Sequence, residues 1–521
     1  MNLPEVIKGA LFSRYSRSSK SLRRLLLDEF IGSDEFASVA SGPRSNLSAA
    51  VGKAQGFYDR ILDGYGDDSV GELGGAHLAC EGISNVAAKF IEDCRIGGSP
   101  LEKSTRYVWF NTKANGEFLF FREPGIMKSK FADDYVRVNN LLFETYSRLM
   151  EPMTAFVVDR FPLEEFEFFD SVSKASLKFP EISDEKLLKR ARAAYNASVK
   201  AKACDALRSF LPAGTLTNVG VFGNGRFFQG LLNKMYTSDL AELRGLASPI
   251  HAELNSVIPS FVRRAGRDDY RASVDANMRA LVRRLLRNME PKPSDDVVLH
   301  YYDRDAEVDC VAGMLYPFSN LSLQQLRDSL KEMSFSQVKE VVDSYMGMRR
   351  QRRDKPGRAL EHVYYTFDLL TDFGIYRDLQ RHRMMTQERQ LLTTVHGYAT
   401  PDEIAKAGFQ EDFDQCMAEA AALYGKIAGT MPLEAQYVVP MAFKVRWYCK
   451  LNLREAFHLI ELRSTPQGHP AYRRVAQDMF RKISAVHPAL AHYMRFVDMK
   501  DYPLGRMGSE LRKEEKREGF R

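Results

Sequence analysis

The stretch RSFLPAGTLTNVGVFGNGR, residues 208–226, returns as QYVVPMAFKVRWYCKLNLR, residues 436–454. Most positions differ, but the landmarks keep one spacing. Leu211-Pro212 answers Val439-Pro440, and Asn224-Gly225-Arg226 answers Asn452-Leu453-Arg454, all 228 residues apart. Each Asn-x-Arg opens an apolar pattern at helical spacing: Phe227, Phe228, Leu231, Leu232 and Met235 in the first copy, Leu453, Ala456, Phe457 and Ile460 in the second. Asn452 with Glu455 three residues on predicts a capping box. Pro, Asn and Arg at one offset indicate a duplicated unit, so the chain reads as two related halves.

Composition bounds the rest. The chain has 521 residues, long enough for two large units. Its 45% hydrophobic and 27% charged residues exclude a disordered polymer. A net charge of +6 does not suggest a nucleic-acid partner, and no run approaches the length of a membrane span. Cys80, Cys94, Cys204, Cys310, Cys416 and Cys449 form no C-x-x-C pair. That argues against a zinc ribbon or disulfide framework and suits a reducing cytoplasm. Arg14, Arg17, Lys20, Arg23 and Arg24 among serines weakly resemble a transit peptide, but the pattern continues into helical spacing at Leu25, Leu26, Leu27 and Phe30. The run Arg349-Arg350-Gln351-Arg352-Arg353 reads as a solvated face, and residues 501–521 as a charged tail.

A second pair of segments lies upstream of the first. Residues 94–107 read CRIGGSPLEKSTRY and residues 381–394 read RHRMMTQERQLLTT. Together they resemble the signature of flavin-dependent thymidylate synthase, R-H-R-x-x-S-x-N-E-x-S-x-R-Y. The second keeps its opening, Arg381-His382-Arg383, with Thr386 for the first serine, and then has Glu388, Arg389, Leu391 and Thr393 for N, E, S and R. The first is the complement: Ser99, Glu102, Ser104, Arg106 and Tyr107 remain, with Leu101 for Asn. The family's later pattern is an Arg four residues before a Pro, then N-x-R, then an Arg eleven residues after that Asn. The first half has Arg208, Asn224, Arg226 and Met235; the second has Gln436, Asn452, Arg454 and Arg463. Eleven residues overshoot three helical turns by about 20°, so Asn452 and Arg463 are expected on one side of a helix. Ser69 and Glu72 resemble a T/S-x-x-E flavin contact, of which the second half keeps Glu361, with Arg358 at the Ser/Thr place. Asp378 stands where family members often have Gln.

The resemblance implies an α+β fold of two related synthase-like domains, helices packed around a mixed sheet. They would span 1–290, with an insertion at about 110–200, and 291–500. It implies FAD as cofactor, methylenetetrahydrofolate and NADPH as co-substrates, and dUMP as substrate. By the same resemblance Glu102, Ser104, Arg106, Arg208, Arg381 and Arg463 hold substrate, with Arg463 and Ser104 catalytic. Ser69, Glu72, Glu102, Asn224, Arg226, Arg381, His382, Arg383, Asn452, Arg454 and His458 contact flavin, while His458 and His469 also suit structural roles. No metal is implied. Family sites are shared between subunits of a tetramer, and here the two motif sets are sorted between the halves. The expectation is one composite site, one vestigial pairing and a homodimer rebuilding the tetramer. Whether the halves meet within or between chains stays open. The alternatives are a related flavin- and folate-dependent pyrimidine nucleotide methyl- or hydroxymethyltransferase, and a non-catalytic nucleotide-binding pseudoenzyme.

Overall fold

In the computed structural model, which describes residues 5–16, 18–25, 28, 71–170 and 174–519, each Asn-x-Arg landmark ends a strand and starts a helix. The first half runs from β1 (Gly75–Ser84) through α1 (Asn85–Asp93) to β2 (Gly98–Glu102). The long helices α2 (Ala132–Arg160) and α3 (Glu185–Leu207) follow, then β3 (Leu216–Asn224) and α4 (Gly225–Thr237). The second half begins with an extra edge strand, β4 (Val297–Tyr302), and repeats the plan: β5 (Tyr364–Asp372), α5 (Phe373–Leu379), β6 (Met385–Arg389), α6 (Gln410–Ala428), β7 (Lys444–Asn452) and α7 (Leu453–Arg463), followed by α8 (Pro470–Val486).

Strand orders are β1-β3-β2 and β6-β7-β5-β4, so the late strand is central in both sheets. Register repeats as well. Gly98 pairs with Gly223 and Glu102 with Val219, as Met385 pairs with Leu451 and Arg389 with Trp447. The α+β class holds, but every strand pairing among the described residues is antiparallel rather than mixed. The parallel strands of each βαβ unit never touch, because the central strand inserts between them and runs the other way.

Asn224 and Asn452 cap their helices through Oδ1, 2.8 Å from Phe227 N and 2.9 Å from Glu455 N. The expected capping box at Asn452 is only half formed, since the Glu455 carboxylate turns to His382 instead. The insertion builds core. Tyr135, Leu142, Tyr146 and Met153 of α2 are fully enclosed in one cluster with Phe413 and Cys416 of α6. The expected tail is ordered: Met507–Gly519 is a helix, and Met507 and Glu510 are buried.

The repeat prolines meet. Pro212 bridges Pro440 antiparallel, and the flanking bonds come in matched pairs. Ala213 N donates to Val439 O at 2.8 Å and Met441 N to Leu211 O at 2.9 Å; Gly214 N donates to Tyr437 O at 2.8 Å and Ala442 N to Ser209 O at 3.1 Å. Members of each pair are 228 residues apart, so an approximate two-fold axis passes through this seam.

Beside the seam, Glu102 is wholly buried and accepts from Lys89 at 2.9 Å, Arg377 at 2.6 Å and Arg381 at 2.8 Å. The two arginines come from the other half. Although burial alone would raise it, these cations hold the Glu102 carboxyl down, at about 2. Glu102→Gln leaves the buried Arg377 without a carboxylate partner among the described residues and should cost about 3–5 kcal/mol at neutral pH. A depressed carboxyl contributes above its ordinary value of 4.5 and loses that contribution as pH falls toward about 2. Urea midpoints of variant and wild type should therefore converge in acid; a constant gap would contradict the ionic account.

Candidate functional site

The Arg381-His382-Arg383 loop lies between α5 and β6, pinned to the first half of the same chain. Gln380 Nε2 donates to Lys89 O at 3.0 Å and to Asp93 Oδ1 at 2.7 Å. Arg383 donates to Gly98 O and, at 3.0 Å, to Ser99 Oγ. His382 turns inward and is buried, with Nδ1 2.8 Å from Glu455 Oε1 and Nε2 2.9 Å from Arg463 Nε. An arginine Nε only donates, so Nε2 accepts and the ring proton sits on Nδ1, donated to Glu455. Burial, and then the Arg463 charge, hold the imidazole well below its ordinary value. Burial pushes the Glu455 carboxyl up to about 7.

This loop opens into a cleft of about 640 Å³. Arg381, His382, Arg383, Asn452, Arg454, His458 and Arg463 all line it, so Asn452 and Arg463 do share one side of α7. Eight arginines and lysines line it against the three carboxylates Glu361, Glu455 and Glu461. Arg454 bonds Glu361 at 2.6 Å. The first half contributes Arg95, Ile96 and Gly97. Gly97 has φ +80, and a Cβ there would lie 2.9 Å from Asn224 Oδ1, so glycine allows this approach.

Arg349, expected on a solvated face, is buried. It forks onto Glu461 at 3.0 and 2.7 Å and lies over the rings of Phe457 and Phe496. Sequence reasoning gave no site role to Arg95, Arg352 or Lys355, which also line the cleft. The arginine-rich run was the available signal. His382, Glu455 and His458 bring ligand-type atoms within 4.8 Å of one another. Arg463 occupies His382 Nε2, Glu455 accepts from His382 Nδ1, and the surrounding cations oppose a metal ion there.

Tyr472 of α8 joins the cleft to the first-half residues. The Arg463 guanidinium lies 5.4 Å from its ring centre, the Arg106 guanidinium 5.6 Å, and Arg106 Nη1 donates to its hydroxyl at 3.2 Å. Arg106 and Arg208, two of the residues expected to hold substrate, are engaged by carboxylates. Arg106 forks onto Asp205 with two 2.7 Å bonds, and Arg208 Nη1 bonds Asp378 at 3.1 Å. Arg208 and the neighbouring arginines hold the half-buried Asp378 carboxyl well below the usual carboxylate range. Arg208 Nη2 is buried with no hydrogen-bond partner among the described residues. Ser104 Oγ accepts from Arg106 N at 3.2 Å. His469 bonds Asp205 O at 3.3 Å and caps α8, a structural role.

Other expected residues lie elsewhere. Ser69 is outside the described residues. Glu72 and Arg226 form an exposed pair at 3.0 Å, and Arg226 lines a smaller hollow of about 250 Å³. That hollow mirrors the large cleft. Gln229, Gly230 and Asn233 stand where α7 carries Phe457, His458 and Glu461. At the counterpart of Glu102 and Lys89, Arg389 lies 5.8 Å from the Tyr376 ring centre.

A family profile described as thymidylate synthase complementing protein matches residues 30–260 and 297–489. A UPF0159 protein of Chlamydia pneumoniae is 44% identical over 521 residues, covering 98% of this chain and 94% of that one. A flavin-dependent thymidylate synthase of Sulfurisphaera tokodaii is 28% identical over 148 residues, covering 26% of this chain and 56% of that one. The solved flavin dependent thymidylate synthase of Helicobacter pylori, complexed with FAD and dUMP, is similar at 16% identity and a TM-score of 0.28. That likeness covers 38% of this chain and 97% of that one.

The raised Glu455 carboxyl sets a pH dependence. A carboxyl raised by folding stabilises below its ordinary value of 4.5 and loses that contribution as pH rises through about 7. Glu455→Gln should therefore match wild type in mild acid and be the more stable protein above about pH 7, by roughly 1–3 kcal/mol. Melting temperatures across that range test this; identical pH profiles would show that Glu455 ionises normally.

Proposed function

This chain belongs to the thymidylate synthase complementing protein family, and on that footing we propose a flavin-dependent methyltransferase that converts dUMP to dTMP, with methylenetetrahydrofolate as carbon donor and NADPH as reductant. The carrying observation is the single cleft in which Arg381, His382, Arg383 and Arg463 of one half meet Arg95 and Gly97 of the other. Its donor set fits FAD. Cationic side chains flank the capped start of α7, and oxyanions of a pyrophosphate match arginine forks and helix N-termini. On this reading His382, Arg383, Asn452, Arg454 and His458 hold the flavin. When bound there, reduced flavin would supply the one-carbon relay and the hydride.

The substrate end falls to Ser104, Arg106, Arg208, Arg381 and Arg463. On this reading Arg463, held between His382 and Tyr472, supplies the permanent positive charge that stabilises an electron-rich pyrimidine. Glu102 has no exposed surface and acts through the residues it positions, Arg377 and Arg381. Arg208 Nη2, buried and with no hydrogen-bond partner among the described residues, is the donor left over for a phosphate on this reading. Asp378 and Asp205 compete with that phosphate, which supports weak dUMP affinity as a built-in property and keeps another pyrimidine nucleotide as the second reading.

Protein purified and then reconstituted with FAD should be yellow; one that stays colourless in excess FAD would remove this reading. Arg208→Ala should weaken dUMP by roughly 1.5–3 kcal/mol, the worth of a charged hydrogen bond. Gln436, at the matching place, is tied to Leu392 N and Leu433 O, so Gln436→Ala should alter stability and leave binding alone. Asp378→Asn should tighten dUMP by removing a competing charge. Calorimetric titration of the three variants gives the comparison, and weaker binding in Asp378→Asn would overturn the competition argument.

A further inference from the structure

Asp205 and Leu433 are repeat counterparts, 228 residues apart, and their surroundings have diverged. Leu433 and Gln436 line a hollow of about 180 Å³, and Arg271, Asp275 and Arg279 of the helix Asp269–Leu285 form another of its walls. Asp205 instead lines a chamber of about 710 Å³, larger than the cleft that Arg463 lines. Its walls are the ends of the insertion helices α2 and α3, the first turns of α8, and residues 401–406 and 499–506. Eight arginines and lysines face five carboxylates there. Four of the five are taken: Asp205 by Arg106 at 2.7 Å, Glu403 by Lys202 at 2.6 Å, Asp402 by Lys406 at 3.6 Å, and Asp478 by Arg481. Arg160, which lies over the Phe161 ring, and Arg474 have no carboxylate partner among the described residues, and among the lining carboxylates only Asp501 has no cationic one. Arg474 also sits near the start of α8, where the helix dipole is positive.

Position selects the occupant. Arg463 lines the cleft, Arg106 lines the chamber, and both guanidiniums reach the Tyr472 ring. On the proposed nucleotide reading, which this inference extends, the pyrimidine meets Arg463 and its phosphate meets Arg106 and Arg208. The direction from base to phosphate then leads out of the cleft and into the chamber. A single phosphate at Arg106 and Arg208 competes with Asp205 and Asp378, which already hold those arginines. Phosphate groups further along meet Arg160 and Arg474, which hold no carboxylate. We propose that the chamber takes the terminal phosphates of a pyrimidine nucleoside 5′-di- or triphosphate, and that the chain binds such a nucleotide in preference to the monophosphate. Arginine forks match phosphate oxygens and stay charged at any working pH. The volume lies within the roughly 300–1,000 Å³ usual for small-molecule sites.

Calorimetric titration with dUMP, dUDP and dUTP tests this, in magnesium-free buffer and with and without added FAD. The di- and triphosphate should bind about tenfold or more tightly than dUMP, the worth of one charged hydrogen bond. Arg160→Ala with Arg474→Ala, both at exposed positions, should erase that gain while circular dichroism and flavin content stay those of wild type. Equal affinity for the three nucleotides, preference for dUMP, or a gain that survives the double substitution overturns the proposal. So does a double variant that keeps the nucleotide order and instead loses affinity for methylenetetrahydrofolate, which would make the chamber a carbon-donor site. Failure to take up FAD removes the flavoenzyme reading alone, since the order of the three nucleotides is read without it. Absence of any nucleotide binding removes both.

Discussion

The antiparallel bridge between Pro212 and Pro440 is the constraint on which the rest depends. Proline has no N–H, so each half must use the residues around its proline, and those donors and acceptors match only when the halves face each other across a two-fold axis. Once the backbones are so placed, the loop after α5 has to meet β2, and α1 has to meet the loop after α5. The cross-half hydrogen bonds of Gln380, Arg381 and Arg383 follow from that placement.

Symmetry of backbone then permits asymmetry of side chains. One pairing carries Lys89, Glu92, Glu102, Arg377 and Arg381, a buried ionic cluster with a wide cationic cleft beyond it. The other replaces Lys89 and Glu102 with Tyr376 and Arg389, a cation–π contact beside a narrow hollow. Buried charges are tolerated only when each has partners, so the ionic pairing specifies one geometry closely. The cation–π pairing asks for less and sits where the motif residues have been lost. A duplicated chain can keep one site and let the other drift without disturbing the seam that holds both.

The arginines make the same point about charge. Arg106, Arg208, Arg349 and Arg454 each hold a carboxylate, and the walls of the large cleft, Arg349 and Arg454 among them, still keep an excess of positive charge. On this reading the surplus attracts the anionic ligands, and the carboxylates fix the positions of the arginines they hold.

Sequence by itself determined the duplication, the helix caps at Asn224 and Asn452, the shared face of Asn452 and Arg463, and the sorting of motif residues between halves. These are local or periodic properties, and spacing along one helix is visible without coordinates. It could not show that the complementary motifs close within one chain, since that depends on the seam and not on either motif. Lys89 and Arg377 read as ordinary helix residues until their partner, more than ten residues or more than two hundred away, is placed against them. Arg349 looked solvated because a run of arginines usually is; Glu461 and two phenyl rings, each over a hundred residues distant, bury it. Sequence also left Asp205 unnoticed, and Asp378 only as a departure from the family pattern. Only tertiary structure set those carboxylates on Arg106 and Arg208, because an ion pair is a property of distance and desolvation, and neither is written in sequence order.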